Sequence, residues 1–328
     1  MTERLGPRAV DEAGLPDATG PLDLITYRIV GMIRETGEKK GMTISATNHE
    51  FLLLRDFIAE QCGIYLGNEK KYLIETRLSG LAEQAGCRTF SDFYYKINKS
   101  TKNTKLRAMT VDAITTNETL WFRDKYPFQT MKEHIFPKLY NEIKTGRRRE
   151  INIWSAACAT GQEPYSAAIT AYEFYQSHGC EADCQHQVRI LATDISSTVL
   201  AQAQAGSYDY VAICRGLGPD QISRYFRKEK EKGCWILNEE IRRMVTLKQM
   251  NLKDSDYGPL GFFDIIFLRN VMIYFTEPFR TTLFTRMAQR LNPKGYLFLG
   301  TGETTSGSAD LFDIVKYQGS IFYQLKNT

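Results

Sequence analysis

From Ile151 onward the chain alternates between short β-rich runs and helical ones, and this alternation limits its possible folds more than any other feature. INIWSAA (151–157), VRILATD (188–194), FFDIIFL (262–268), GYLFLG (295–300) and SIFYQL (320–325) read as strands. EPYSAAITAYEFYQ (163–176) and the segments 196–205 and 277–291 read as helices. Strand and helix in such succession predict an α/β fold with a parallel, doubly wound, Rossmann-like sheet. One stretch departs from the pattern. CWILNEEIRRMVTLKQMNL (234–252) holds two strand-like runs around Asn238–Glu240, after a helix at 219–227 and the charged loop Lys228–Gly233. It predicts a small antiparallel β insert at about 228–250.

The preceding region is helical throughout. Asn48 can cap a helix whose apolar residues Phe51, Leu54, Phe57, Ile58 and Cys62 recur at helical spacing, and Gly63 ends it. A second helix begins near Asn68, with Ile74, Leu78, Leu81 and Ala85 on one face, and stops at Gly86. Further helices are expected at 91–98, 104–114 and 125–144. Residues 46–145 therefore read as an all-helical domain, and 146–328 as the sheet domain. The basic cluster Arg147–Arg149 between them suits a solvated helix end, where cations complement the macrodipole. Residues 1–45 read as a flexible extension, because 1–21 offer little apolar surface against the entropy of ordering. Leu24–Ile33 could add a short amphipathic helix there.

Composition narrows the function classes. The 328 residues suffice for about two domains, and no charge-free run approaches the ~18 apolar residues of a membrane span. The N-terminus lacks the apolar core of a secretory signal, so a cytoplasmic protein is expected. Seven scattered cysteines fit reduced thiols. His178, Cys180, Cys184 and His186 share one segment without a good C-x-x-C knuckle, so a solvated loop is expected there and no metal site. A net charge of +4 does not call for nucleic acid. Residues 50–150 nevertheless carry 18 basic against 13 acidic side chains, so an acidic partner would approach there.

The turn Ala156–Pro164 joins a buried strand to a helix through small residues, which let a ligand approach the backbone. Such a turn suits an adenosine-type cofactor. It is not G-x-G-x-x-G and lacks the G-K-[ST] of a phosphate loop; a purely structural loop would have the same composition. Asp194 ends the next strand, where it can accept both ribose hydroxyls or equally cap the helix that follows.

Four segments taken together, TTNETLWFRD (115–124), SAACATGQEPYS (155–166), ATDIS (192–196) and FLRNVMIYF (267–275), resemble the CheR family of chemoreceptor glutamate methyltransferases. The resemblance runs in order over about 50–328. It implies a S-adenosylmethionine cofactor and glutamate γ-methyl esters plus S-adenosylhomocysteine as products, on the cytoplasmic helices of chemoreceptors. It further implies that Asn117, Thr119 and Arg123 hold the methionine end, Glu163 the α-amino group and Asp194 the ribose. Asn251 and Leu252 would border the adenine, Arg269 and Asn270 complete the pocket floor, and Tyr274 face the reacting centre, with Arg123 orienting a carboxylate. Outside a motif, an Arg and a Tyr beside aromatic neighbours are ordinary packing and ion-pair residues. By the same resemblance Lys70, Lys71 and Arg77 would dock the receptor. Some members also bind a receptor C-terminal peptide by strand addition at the insert; the short, charged Lys228–Gly233 segment implies that this chain does not need that tether. The rival readings are a nucleic-acid methyltransferase, disfavoured because LRNVMIYF stands where an Asn-Pro-Pro-Tyr-like motif would be needed, and a non-catalytic cofactor-binding module.

Overall fold

The computed structural model describes residues 44–99, 104–229 and 231–326. The expected extension and its short helix lie outside these residues, except at its end. Ile44 is already buried and its carbonyl accepts from Ser79 Oγ at 3.3 Å, while the Ala46 N–H donates to Glu75 at 2.9 Å. The packed chain thus includes Ile44, just before the expected start at 46.

Four helices, α1 (Asn48–Cys62), α2 (Lys71–Gln84), α3 (Phe90–Lys99) and α4 (Thr104–Ile114), enclose Leu54, Ile58, Ile74, Leu78, Phe90 and Phe93. Thr47 rather than Asn48 caps α1. Its Oγ1 accepts the Glu50 N–H at 3.2 Å while Glu50 Oε2 accepts the Thr47 N–H at 2.8 Å, a reciprocal pairing of two otherwise unpaired donors. Glu50 Oε1 takes the Ser91 N–H and hydroxyl at 2.9 and 3.0 Å and so ties α1 to α3. Gly63 and Gly86 end their helices at φ +78° and +74°.

Helices α5 (Tyr126–Thr130) and α6 (Phe136–Lys144) flank a π turn at Met131–Ile135. The sheet domain follows with β1 (Ile151–Ala156), α7 (Gln162–Ser177), α8 (Glu181–Gln187), β2 (Val188–Asp194), α9 (Ser197–Ala205), β3 (Ser207–Tyr208), α10 (Tyr210–Cys214), α11 (Pro219–Tyr225), β4 (Phe226–Glu229), β5 (Cys234–Leu237), α12 (Glu239–Arg242) and β6 (Val245–Gln249). It closes with β7 (Phe263–Leu268), α13 (Glu277–Ala288), β8 (Leu291–Leu299), β9 (Phe312–Tyr317) and β10 (Ser320–Leu325). The main sheet has the order β6-β2-β1-β7-β8-β10-β9; its first five strands are parallel and the last two antiparallel. Successive side chains of its central strands are buried on alternate faces. Ile153, Ile265, Phe267 and Phe298 pack with α5 to α7, and Trp154, Ile266, Leu268 and Leu297 pack with Leu283, Phe284 and Met287 of α13 on the other face. Both faces are therefore covered, as a doubly wound sheet requires.

Several local expectations change. Val245–Gln249, read as part of the insert, is the parallel edge strand β6, because Val245 and Leu247 pack against Leu200 beside β2. The insert is the three-stranded sheet β3-β5-β4, and Lys228 and Glu229 lie in β4 rather than in a loop. The run read as a helix at 125–144, counted with the helical domain, buries Phe128, Met131, Ile135, Phe136 and Leu139 in the core of the sheet. Strand β9 was not anticipated: an edge strand lacks a continuous apolar run, and Gln318–Gly319, at φ +42° and +84°, turn it into β10. The expected solvated loop 178–186 is largely helix α8, with Cys184 buried. No helix among the described residues is long and apolar enough to cross a membrane.

Arg148 is likewise not a solvated cation. It pairs with Asp264 and, at 2.9 Å, with Glu142, and the 2%-exposed Asp264 also accepts from the Asn152 N–H at 2.8 Å and Asn292 Nδ2 at 2.7 Å. Asp264→Ala leaves these donors without their acceptor and should cost about 3 kcal/mol or more of unfolding free energy in urea titration.

Candidate active site

The carboxyl ends of β6, β2, β1 and β7 converge on an open cavity, the position where open α/β sheets bind ligands. Asn117, Thr119, Arg123, Glu163, Asp194, Asn251, Leu252, Arg269, Asn270 and Tyr274 all line it. Lys70, Lys71 and Arg77 do not. Lys71 Nζ reaches Asn48 Oδ1 at 3.5 Å. Arg77, expected as a docking cation, instead donates to the carbonyls of Ile114 and Thr115 at 2.6 and 3.2 Å and to Thr116 Oγ1 at 3.1 Å. Its charge holds the segment that enters the cavity wall.

The turn after β1 carries three residues in the left-handed region, Ala157 (φ +63°), Ala159 (+48°) and Gly161 (+93°). The alanines accept a conformation that favours glycine, while at Gly161 a Cβ would stand 2.9 Å from Ala203 Cβ. This geometry aims the Ala159 N–H at Asp194 Oδ2, 2.9 Å away, and the Ser196 N–H meets Oδ1 at 3.0 Å. The helix cap is Ser196, whose hydroxyl accepts from the Val199 N–H at 3.3 Å. Asp194 keeps lone pairs free for a ligand at the strand's end. Burial raises its pKa, and the N–H groups of Ser196, Ala159 and Ile195 pull it back.

Arg269 is the hub of the floor. Its side chain is 1% exposed; Nη1 donates to Glu163 at 3.0 Å, and Nη2 to Asp124 at 2.6 Å and the Arg123 carbonyl at 2.8 Å. Its buried Nε has no partner among the described residues. Glu163 also accepts from Ser155 Oγ at 2.8 Å; burial raises its pKa against the pull of Arg269.

The helical domain supplies the rest of the wall. At the end of α1 Asn251 Nδ2 meets the Gln61 carbonyl at 2.7 Å, while Lys253 Nζ meets the carbonyls of Glu60 and, at 3.0 Å, of Ala59, which also accepts the Gly63 N–H. Ile64 bridges Phe275, and the Tyr65 N–H donates to the Tyr274 carbonyl at 2.9 Å. Cys62 and Ile64 thereby line the cavity although their sequence context signals only a helix face and its exit. Burial pushes the Cys62 thiol up to about 11 and Cys158 well upward.

Residues 117–321 match the family model described as CheR methyltransferase, SAM binding domain, and 49–115 match CheR methyltransferase, all-alpha domain. The fold and its cavity are thus those of a methyltransferase that binds S-adenosylmethionine. The chain belongs to the CheR methyltransferase family. It is 42% identical to chemotaxis protein methyltransferase 1 of Pseudomonas aeruginosa over 283 residues, 86% of this chain and all of that one. It is 40% identical, over the same shares, to the chemotaxis protein methyltransferase Cher2 of Pseudomonas putida, and 34% to that of Borreliella burgdorferi over 83% of this chain and 94% of the other.

The cavity fits such a cofactor. Small residues at 157–159 leave room beside the backbone, and the carboxylates of Asp194 and Glu163 stand in the wall as hydrogen-bond acceptors. Asp194→Asn retains the shape but turns a donor toward an N–H, and should weaken S-adenosylhomocysteine binding by about 1–3 kcal/mol in calorimetry. Because burial raises both carboxyls, their charged forms are lost at higher pH than in an exposed carboxylate. Affinity for S-adenosylhomocysteine should therefore begin to decline, as pH is lowered, before the range in which an exposed carboxylate protonates, as calorimetry across a pH series would show.

Proposed function

We propose that this chain methylates glutamate side chains on the cytoplasmic helices of chemoreceptors, as a protein-glutamate O-methyltransferase of chemotactic adaptation acting in the cytoplasm. One observation carries the choice of acceptor: among the described residues, the cavity lining holds no histidine or unpaired carboxylate to act as a general base. Glu163 is held by Arg269 and Ser155, Asp194 by two N–H groups, and Glu118 by Arg215 at 2.7 Å, while burial favours the protonated thiols of Cys62 and Cys158. An amine or hydroxyl acceptor would have to lose a proton. A glutamate, with an ordinary pKa near 4.3, is already an anion at neutral pH.

Bound S-adenosylmethionine supplies a methyl group on a sulfonium centre. The chain's part is to align the acceptor oxygen and exclude water. Arg123 is suited to orient the incoming carboxylate, since the hydrogen bond its guanidinium makes among the described residues is a long one, to the Glu118 carbonyl at 3.4 Å. Tyr274 lines the same cavity from the segment after β7, and its hydroxyl would donate to the acceptor carboxylate. Asn117 and Thr119 would hold the methionine end, Glu163 its amino group, and Asn251 and Leu252 the adenine edge.

Receptor docking is assigned to Lys70 and Lys71 at the start of α2, without Arg77. The insert offers little for a receptor tail: β4, at its edge, presents Arg227, Lys228 and Glu229, and Lys228 lies 5.0 Å over the Trp235 ring. Charged edges resist strand addition.

Labelled methyl transfer to a receptor cytoplasmic fragment, with base-labile product, tests the activity; transfer to DNA instead overturns it. Arg123→Lys should lower turnover at least about tenfold while changing unfolding free energy by less than about 0.5 kcal/mol. Removing the receptor's C-terminal tail should alter the rate less than about twofold, whereas raising salt from 50 to 500 mM should slow docking.

A further inference from the structure

Glu303 lies beyond β8 and is not part of the cavity lining. Its carboxylate nevertheless gathers three backbone donors from two chain segments. Oε2 accepts the N–H groups of Asn270 and Gly300, each at 2.7 Å, and Oε1 accepts the Met272 N–H at 2.9 Å. Its own N–H returns to the Gly300 carbonyl at 2.9 Å. The exit of β7 is thereby pinned to the exit of β8.

The pinned turn is the one that lines the cavity. Asn270 and Val271 are wall residues, and Tyr274, also in the wall, follows Met272 by two positions. Asn270 is held at φ +58°, an uncommon backbone state that must be maintained by its surroundings. Room for the carboxylate depends on Gly300, where a Cβ would stand 2.5 Å from Asn270 Nδ2, 2.7 Å from Glu303 Oε2 and 2.8 Å from the Asn270 nitrogen. A carboxylate offers two oxygens with lone pairs enough for these three donors. A glutamine has one oxygen and would face the remaining donor with an amide N–H.

We propose that Glu303 is a positioning residue for cofactor binding: it holds the Asn270–Met272 turn in the shape that forms the cavity wall, without touching the ligand. The role concerns the cofactor alone and stands whatever the methyl acceptor is.

The test measures S-adenosylhomocysteine binding to the full chain by calorimetry, with Glu303→Gln, Asn270→Ala and the double variant. Glu303→Gln should weaken binding roughly tenfold, and Asn270→Ala should add less than about twofold in that background, because both act through one turn. Hydrogen exchange should accelerate at 269–275 and stay unchanged in α1 to α4. Unchanged affinity in folded Glu303→Gln, or losses that simply add, overturns the proposal. If Glu303→Gln does not fold, Gly300→Ala crowds the same carboxylate and turn, and the same outcomes apply to it.

Discussion

The burial of one guanidinium organises the site. A cation as enclosed as Arg269 costs several kcal/mol unless it is paired and hydrogen-bonded, and no single neighbouring segment supplies enough acceptors. Glu163 comes from the first turn of α7, Asp124 and the Arg123 carbonyl from the segment leading out of the helical domain, and Arg269 itself from the end of β7. The charge therefore draws three distant stretches to one point. It also helps keep Glu163 ionised against the burial that opposes it.

The same logic attaches the helices. The C-terminal carbonyls of α1 need donors, and Asn251 and Lys253 provide them from the chain just after β6. Arg77 performs the complementary task, satisfying carbonyls at the end of α4 where the chain turns into the cavity. The helical domain is thus a wall of the cavity.

Much was legible because the relevant signals are local. Alternating strands and helices placed the site at strand ends, and the four motif segments contain eight of the ten expected residues that line the cavity, Asn251 and Leu252 lying outside them. What escaped was pairing. Val245–Gln249 has the same strand-like pattern in an insert as at the edge of the main sheet, and only contact with β2 distinguishes them. The helical periodicity of 126–144 tells which face is buried but not that β1 and β7 cover it. Arg77 read as a docking cation and Arg148 as a solvated one because their carbonyl and carboxylate partners lie 37 and 116 residues away.

By itself, the sequence determined the fold class, the position of the cavity along the chain and the chemical types that line it. These follow from periodicity, turn composition and motif, all of which act over a few residues. Tertiary structure alone decided which charges are free and which are spent. A side chain's hydrogen-bonding capacity is finite, and the acceptors that consume it at Arg77, Arg148 and Arg269 are brought within reach only when the sheet closes.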